Sequence, residues 1–382
     1  MRRKWSGLLV LVVGLLLTGC QSVAVTPSTP AAGASTVAVS APPPVQWLDL
    51  RSGNSVSGPF VTFAQCQFEI PMQPDSATDL YTAKDESRLA AQLRACVKQA
   101  VAEKVQVLIF PEMALAMSPD LRQELLNEFQ TVARKEHMLI VAGTFYDADR
   151  CSRIAVIGPN GTAFGYKLKP SCYEVSPVAG KGMSNGPAVT AIHSDFGDFA
   201  IPVCVDLISD ESQYVVRRLA TQEQIQAVIV LCCNPAAWEF LIESNSLARR
   251  HPIFVLLNNV MVPPGDQPDN GFRFGHTALC GAYGNGGNDA VGLHRLQALL
   301  PPVLLTKSPD GKVQRQTAFD AVIADLDFNR QAMLVYDLNL ALKTAPRTNN
   351  APDQGYPTVR NLRILPLTAP VDSRNLMSDK KP

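Results

Sequence analysis

Three side chains in this sequence are spaced as if to share one reaction. Glu112 closes the apolar run Leu108-Ile109-Phe110-Pro111, Lys167 directly follows Tyr166, and Cys204 closes the apolar run Phe199–Val203. They stand in that order, 55 and then 37 residues apart. A cysteine nucleophile must be present as thiolate, which a nearby cation or base provides. Its attack on an amide or nitrile carbon builds negative charge on oxygen or nitrogen, and that charge needs a fixed donor or cation. Expelling the amine takes a proton, and the later attack of water takes a base. Cysteine, lysine and glutamate meet all these demands without histidine, and none of the five histidines lies in a motif resembling a catalytic one. Taken singly, each residue has an ordinary structural reading; the chemical reading rests on the three together.

The elements that must position them are short. Phe199–Val203 reads as a buried strand, and Asp206, Ser209 and Asp210 after it can cap a helix starting near Glu211. A thiol at such a strand-to-helix junction lies where open α/β sheets place their sites, with backbone N–H groups just beyond it. Val105–Phe110 reads as a strand delivering Glu112. Arg153–Ile157, the turn Pro159-Asn160-Gly161 and Thr162–Tyr166 read as a hairpin delivering Lys167, since Asn-Gly is the strongest short hairpin signal. Lys169 lies two residues on, and on an extended segment both lysines would face the same side.

Around these, Phe60–Phe68 and Met138–Ala142 read as strands, as do Ala227–Leu231 and Ile253–Leu257. Leu89, Leu93, Val97, Ala100 and Val101 recur at helical spacing, and so do Leu121, Leu125, Phe129 and Val132 behind the start signal Ser118-Pro119. A further helix is expected around Phe240–Ala248, a loop or insertion over 284–317, and a last strand at Ala321–Leu326. Alternating strands and helices with interrupting hairpins give an α/β fold whose sheet faces are helix-covered in some places but not everywhere. No internal repeat is visible. The expected organisation is a leader over 1–19, a tether rich in Pro, Ser and Ala over 20–57, one domain over 58–345 and a tail over 346–382.

Phe110-Pro111-Glu112, Tyr166-Lys167 and Val203-Cys204-Val205-Asp206, in this order and at these spacings, resemble the Glu-Lys-Cys triad of the nitrilase, or carbon–nitrogen hydrolase, superfamily. Arg153 to Gly161, Asn234-Pro235-Ala236-Ala237-Trp238 and Gly275-His276-Thr277-Ala278 add to the likeness, which covers roughly residues 60 to 330. The resemblance implies a four-layer α-β-β-α sandwich, assembled as a homodimer or larger oligomer through helix packing. It implies Cys204 as nucleophile, Glu112 as general base and acid, and Lys167 with the backbone N–H of Val205 as the oxyanion site. Glu174 falls where many members carry a second glutamate that positions the lysine and the substrate. Lys167 is preferred over Lys169 because it follows Tyr166 and stands seven residues before Glu174, a spacing the family often shows. The sequence departs from the family at Val205, where an aromatic residue is usual, and at Arg250-His251, where many members have Glu-Asn.

Arg2, Arg3 and Lys4 followed by the apolar run Leu8–Leu17 mark a secretory signal, and the run is shorter than the ~20 residues a spanning helix needs. Leu17-Thr18-Gly19-Cys20 resembles the lipobox of bacterial lipoproteins, which implies lipid on Cys20 and a place in the cell envelope. Gln21, where retention at the inner membrane would often call for Asp, favours the outer membrane, facing the periplasm. Loss of the three basic leader residues leaves 31 basic against 34 acidic, a balance that gives no reason to expect nucleic-acid binding. Nine cysteines include Cys20 and Cys204, and the other seven, an odd number, cannot all pair internally. No Cys/His cluster has zinc-ligand spacing, so neither metal nor cofactor is expected.

The expectation is a lipid-anchored envelope hydrolase of non-peptide carbon–nitrogen bonds, acting on small amides before nitriles through a thioester. Two alternatives remain open at the level of sequence: an N-acyltransferase with the same triad, and a catalytically silent binding module on the same scaffold.

Overall fold

The apolar runs read from the sequence become strands buried on both faces, and such strands need cover on each side. A computed structural model of the chain describes residues 41–54, 58–223, 225–251, 253–262, 274–281, 305–307, 313–315, 321–328, 330–340 and 359–367. In chain order the elements are β1 (Val45–Asp49), β2 (Phe60–Gln67), β3 (Met72–Pro74), β4 (Tyr81–Ala83), α1 (Glu86–Ala102), β5 (Val107–Ile109), α2 (Pro119–Glu136), β6 (Leu139–Tyr146), β7 (Ser152–Gly158), β8 (Gly161–Tyr166), β9 (Val189–Ser194), β10 (Gly197–Ile201), α3 (Asp210–Thr221), β11 (Ala227–Cys232), α4 (Ala237–Arg250), β12 (Phe254–Asn259), β13 (Ala278–Gly281), β14 (Leu305–Lys307), β15 (Val313–Arg315), β16 (Val322–Asp325), β17 (Ala332–Asn339) and β18 (Val359–Pro366).

Two seven-stranded sheets carry the fold. One, the glutamate sheet, runs β18-β17-β2-β5-β6-β7-β8; the other, the cysteine sheet, runs β1-β9-β10-β11-β12-β13-β16. Both have the same inner pattern. The triplets β2-β5-β6 and β10-β11-β12 are parallel, and each is flanked on both sides by antiparallel neighbours. The sequence shows no repeat, yet the backbone uses one arrangement twice.

Alternation along the strands sends side chains to two cores. Ala64, Cys66, Leu108 and Ile140 of the glutamate sheet meet Leu89, Leu93, Cys96 and Val97 of α1 and Leu125, Phe129 and Ala133 of α2. Their sequence neighbours Phe63, Val107, Ile109, Leu139 and Val141 face the cysteine sheet, where Phe63 meets Phe199 edge-on at 5.9 Å. Val215, Val216 and Leu219 of α3 and Phe240, Leu241 and Leu247 of α4 join the same core from the cysteine sheet's other side. The order is therefore helix, sheet, sheet, helix. Each fully buried Leu or Phe contributes about 1.5–3 kcal/mol of transfer free energy. Register between the sheets is fixed by buried amides rather than by hydrocarbon alone. Gln65 donates to Leu257 O at 2.8 Å and accepts from Tyr336 at 2.6 Å, while Asn258 donates to Ile109 O at 3.1 Å.

Helix starts follow the expected chemistry. Asp85 caps α1 through the Arg88 N–H at 3.0 Å, and Ser118 precedes α2 with Pro119 in its first turn.

Several boundaries need correction. β1 lies inside the stretch expected as tether and pairs in parallel with β9. Ala321–Leu326 is not the last strand, because β17 fills the place between β2 and β18, and β18 itself lies in the expected tail. Both omissions have one cause: edge strands such as β1 and β18 are held by pairing with a distant segment, and a five- to eight-residue run after Pro-rich chain carries little local signal. Arg360 reaches Asp337 at 3.0 Å and Arg363 reaches Glu103 at 2.8 Å. Within 284–317, expected as a loop or insertion, β14 and β15 pair antiparallel. The expected leader, the tether up to residue 40 and Cys20, expected to carry lipid, lie outside the described residues. Cys66, Cys96, Cys151, Cys204, Cys232, Cys233 and Cys280 are free thiols. Among the described residues no helix is long and apolar enough to cross a membrane, and no group of three His, Cys, Asp or Glu residues is placed to hold a metal ion.

Candidate active site

Glu112, Lys167, Glu174 and Cys204 converge, each fully buried or nearly so. β5 puts Glu112 at the carboxyl end of a central strand, where open α/β sheets place their sites. The chain then turns sharply. Met113 has φ of +66°, its N–H donates to Thr144 Oγ1 at 2.9 Å, and Leu115 N–H donates to Thr144 O at 3.1 Å. Gly143 makes that turn possible. Its φ is +92°, and a Cβ there would stand 2.5 Å from Pro111 O and 2.7 Å from Ala114 Cβ.

β8 delivers Lys167, whose N–H continues the sheet to Ser152 O at 2.9 Å. Its ammonium donates to Glu112 Oε1 at 2.7 Å, Glu174 Oε2 at 2.5 Å and Ser171 Oγ at 3.0 Å. Lys169 does not share this side; the chain leaves the extended path after β8, and Lys169 makes a surface ion pair with Glu211. Glu174 closes the short 3-10 segment Cys172–Glu174. It accepts from Tyr146 at 2.6 Å on one oxygen, and from Lys167 and the Ser171 N–H, the latter at 2.6 Å, on the other.

Cys204 follows β10 and opens the 3-10 segment Cys204–Leu207. Its φ is +51°, a left-handed conformation that costs an L-residue about 1–2 kcal/mol. The backbone N–H of Val205 lies in the first turn of that segment, where N–H groups lack a carbonyl within the segment. Around the sulfur stand Ser171 Oγ at 3.4 Å and Asn234 Nδ2 at 3.6 Å. Asn234 is itself held, with its N–H and carbonyl both bound to the side chain of Asn259 at 3.1 and 2.9 Å. Asp206, two residues beyond the sulfur, accepts N–H bonds from Leu168 at 2.9 Å, Lys169 at 3.0 Å and Val203 at 3.3 Å. It ties the lysine segment to the cysteine turn. Burial pushes its carboxyl up to about 7, against three donors that favour the charged form.

The electrostatics divide the protons. Burial works against the Cys204 thiolate, but a hydrogen bond from the Cys232 thiol, the Lys167 charge and the Ser171 hydroxyl outweigh it and bring the sulfur down to about 5. Burial likewise opposes the Lys167 ammonium, and Glu112 and Glu174 override it, holding the lysine charged well above its ordinary range. Burial lifts Glu112 far above the usual carboxylate range despite Lys167. Its Oε2 is buried without a protein partner. The sulfur is thus held toward the thiolate, beside a carboxyl group that burial biases toward its protonated form and whose second oxygen has no protein partner.

Sequence reasoning missed Ser171, Tyr146 and Cys232. Nothing in their types marks them. Cys232 follows Leu231, which bridges in parallel to Val203 beside Cys204, so pairing register alone puts the two thiols side by side. Tyr173 roofs the lysine, its ring centroid 5.9 Å from Nζ and its hydroxyl bound to Cys233 O at 3.0 Å.

No protein-family model matches the sequence, and no curated protein matches it. Among solved structures, Nit3 of Saccharomyces cerevisiae, described as a member of branch 10 of the nitrilase superfamily, matches at 16% identity and a TM-score of 0.44, over 60% of this chain and 86% of that one. The NitFhit protein of C. elegans matches at 12% and 0.48, over 75% and 62%. An amidase from Nesterenkonia sp. matches at 14% and 0.43, over 60% and 86%. At such identity none of the three says what this chain acts on.

Proposed function

We propose that the chain is a cysteine-dependent hydrolase of non-peptide carbon–nitrogen bonds, acting on small amides. The observation that carries this reading is the single buried cluster in which Lys167 is bound to Glu112, Glu174 and Ser171, with Ser171 against Cys204.

The Cys204 thiolate adds to the amide carbon, and the charge passing to oxygen is met by the Val205 N–H and the field of Lys167. The Glu112 carboxylic acid protonates the departing nitrogen, the C–N bond breaks, and ammonia or an amine leaves a thioester on Cys204. Glu112, now a carboxylate, takes a proton from water as the oxygen attacks the thioester. Collapse breaks the C–S bond, returns the thiolate and the carboxylic acid, and frees the product acid. One amide and one water become one acid and one amine.

The test is a screen of small amides, carbamoyl compounds and nitriles for ammonia release by the wild type and Cys204→Ala, with mass spectrometry for an acyl adduct on Cys204. Turnover that persists in Cys204→Ala rejects the reading. Product analysis with an added amine acceptor separates hydrolysis from acyl transfer, and a protein that labels at Cys204 but turns over none of these compounds would be a binding module. The lipobox-like Leu17-Thr18-Gly19-Cys20 supports attachment to the outer membrane through lipid on Cys20, facing the periplasm. Release of Cys20→Ala from the membrane fraction checks it, and sedimentation of the protein checks a homodimer.

A further inference from the structure

A protonated lysine has three N–H groups. At Lys167 all three are taken, by Glu112, Glu174 and Ser171. None is left for the sulfur or for a substrate oxygen. Turning one away from either glutamate would leave a buried acceptor short of its partner, which is costly. Of the groups that reach the sulfur, Asn234 and Cys232 among them, it is the hydroxyl of Ser171 that also meets the lysine: it accepts from Lys167 at 3.0 Å and donates to Cys204 Sγ at 3.4 Å. Its backbone is fixed independently of its side chain: its N–H binds Glu174 Oε2 at 2.6 Å and its carbonyl accepts from Glu174 N–H at 2.9 Å.

We infer that Ser171 is a catalytic residue whose hydroxyl donates first to the Cys204 thiolate and then, as the carbon–sulfur bond forms, to the oxygen that takes over the charge. Rotation about one side-chain bond moves that donor, with no charge displaced. Lys167 keeps donating to Ser171 Oγ throughout, and so polarises the hydroxyl. A thioester sulfur is a poor acceptor, so the hydrogen bond follows the charge to oxygen and returns when the tetrahedral species collapses. The O–H bond of Ser171 stays intact; only its acceptor changes. The second half of this role rests on the amide-hydrolase reading, whereas the first concerns the thiolate alone.

Ser171→Ala removes the donor and keeps both backbone hydrogen bonds. Alkylation of the Cys204 peptide by iodoacetamide, followed by mass spectrometry across pH, reads the thiolate without any substrate. Its midpoint rises by about one pH unit in Ser171→Ala, the size expected for one hydrogen bond to a charged group, and Ser171→Thr brings it back. Small-amide turnover in Ser171→Ala falls about 10²-fold in kcat, as for loss of one oxyanion donor, with KM little changed. Ser171→Gly, read the same way, serves if Ser171→Ala fails to fold. A folded variant lacking the hydroxyl that alkylates with the wild-type midpoint overturns the inference. A shifted midpoint in a protein that hydrolyses no amide counts against the hydrolase reading and leaves the contact with the thiolate standing.

Discussion

Asp206 accepts the backbone N–H of Leu168 at 2.9 Å, so the turn that carries the sulfur is bonded to the residue next to the amine. Lys169 and Val203 complete the set on the same carboxylate. An amide at this position would face at least one of these N–H groups with its own NH2. Asp206→Asn is expected to cost about 1–3 kcal/mol, the penalty for a buried donor left unmade. Urea denaturation measures it, and a variant as stable as the wild type contradicts the tie.

Cys204 and Glu112 set opposite limits on pH. With the sulfur brought down to about 5, the thiolate fraction rises through that pH, and alkylation should climb there and then stay level to pH 8. In the proposed mechanism turnover needs the thiolate and also the protonated form of Glu112, whose pKa is raised. Amide hydrolysis should therefore rise with pH alongside alkylation and then fall while alkylation stays high. Parallel profiles at high pH would remove Glu112 from the acid role.

Glu112→Gln keeps the shape and the contact of Oε1 with Lys167 but cannot exchange a proton. Turnover should drop about 10²–10⁴-fold, the usual worth of a general acid–base. Cys204 should still alkylate near neutral pH. Pre-steady-state ammonia release tells whether the first step has slowed.

Gly143→Ala places a methyl 2.5 Å from Pro111 O at a φ of +92°. The turn holding Glu112 must shift, and overpacking of this kind costs about 1–3 kcal/mol. Thermal unfolding should show the loss, and kcat should fall further than the change in folding accounts for. A variant with wild-type kcat would mean the turn has slack.

Much of the fold was legible because its signals are local. The Asn160-Gly161 turn fixes the β7–β8 hairpin, Ser118-Pro119 starts α2, and unbroken apolar runs mark β11 and the first half of β6, all of them present in the structure. β1 and β18 were not, since the partner of β1 lies more than a hundred residues away and that of β18 lies 21 to 34 residues away. β17 is apolar over Ala332–Val335 and carries polar Asp337 and Asn339 at its end, so it shows neither one unbroken apolar run nor the even alternation of a half-exposed strand. At the site, Glu112, Lys167, Glu174 and Cys204 carry chemistry in their side-chain types and stand out. Ser171 and Tyr146 are ordinary in type, and only the loop geometry after β8 and the end of β6 make them partners of Lys167 and Glu174.

The acid and the amine come from one sheet and the sulfur from the other. Neither half of the chain can therefore be competent by itself, and severed fragments should regain turnover only when mixed and reassociated. On refolding, circular dichroism should recover before catalysis does, because strands can form while the two sheets are still apart. Turnover, on the proposed function, would be in effect a gauge of how well the two sheets are docked.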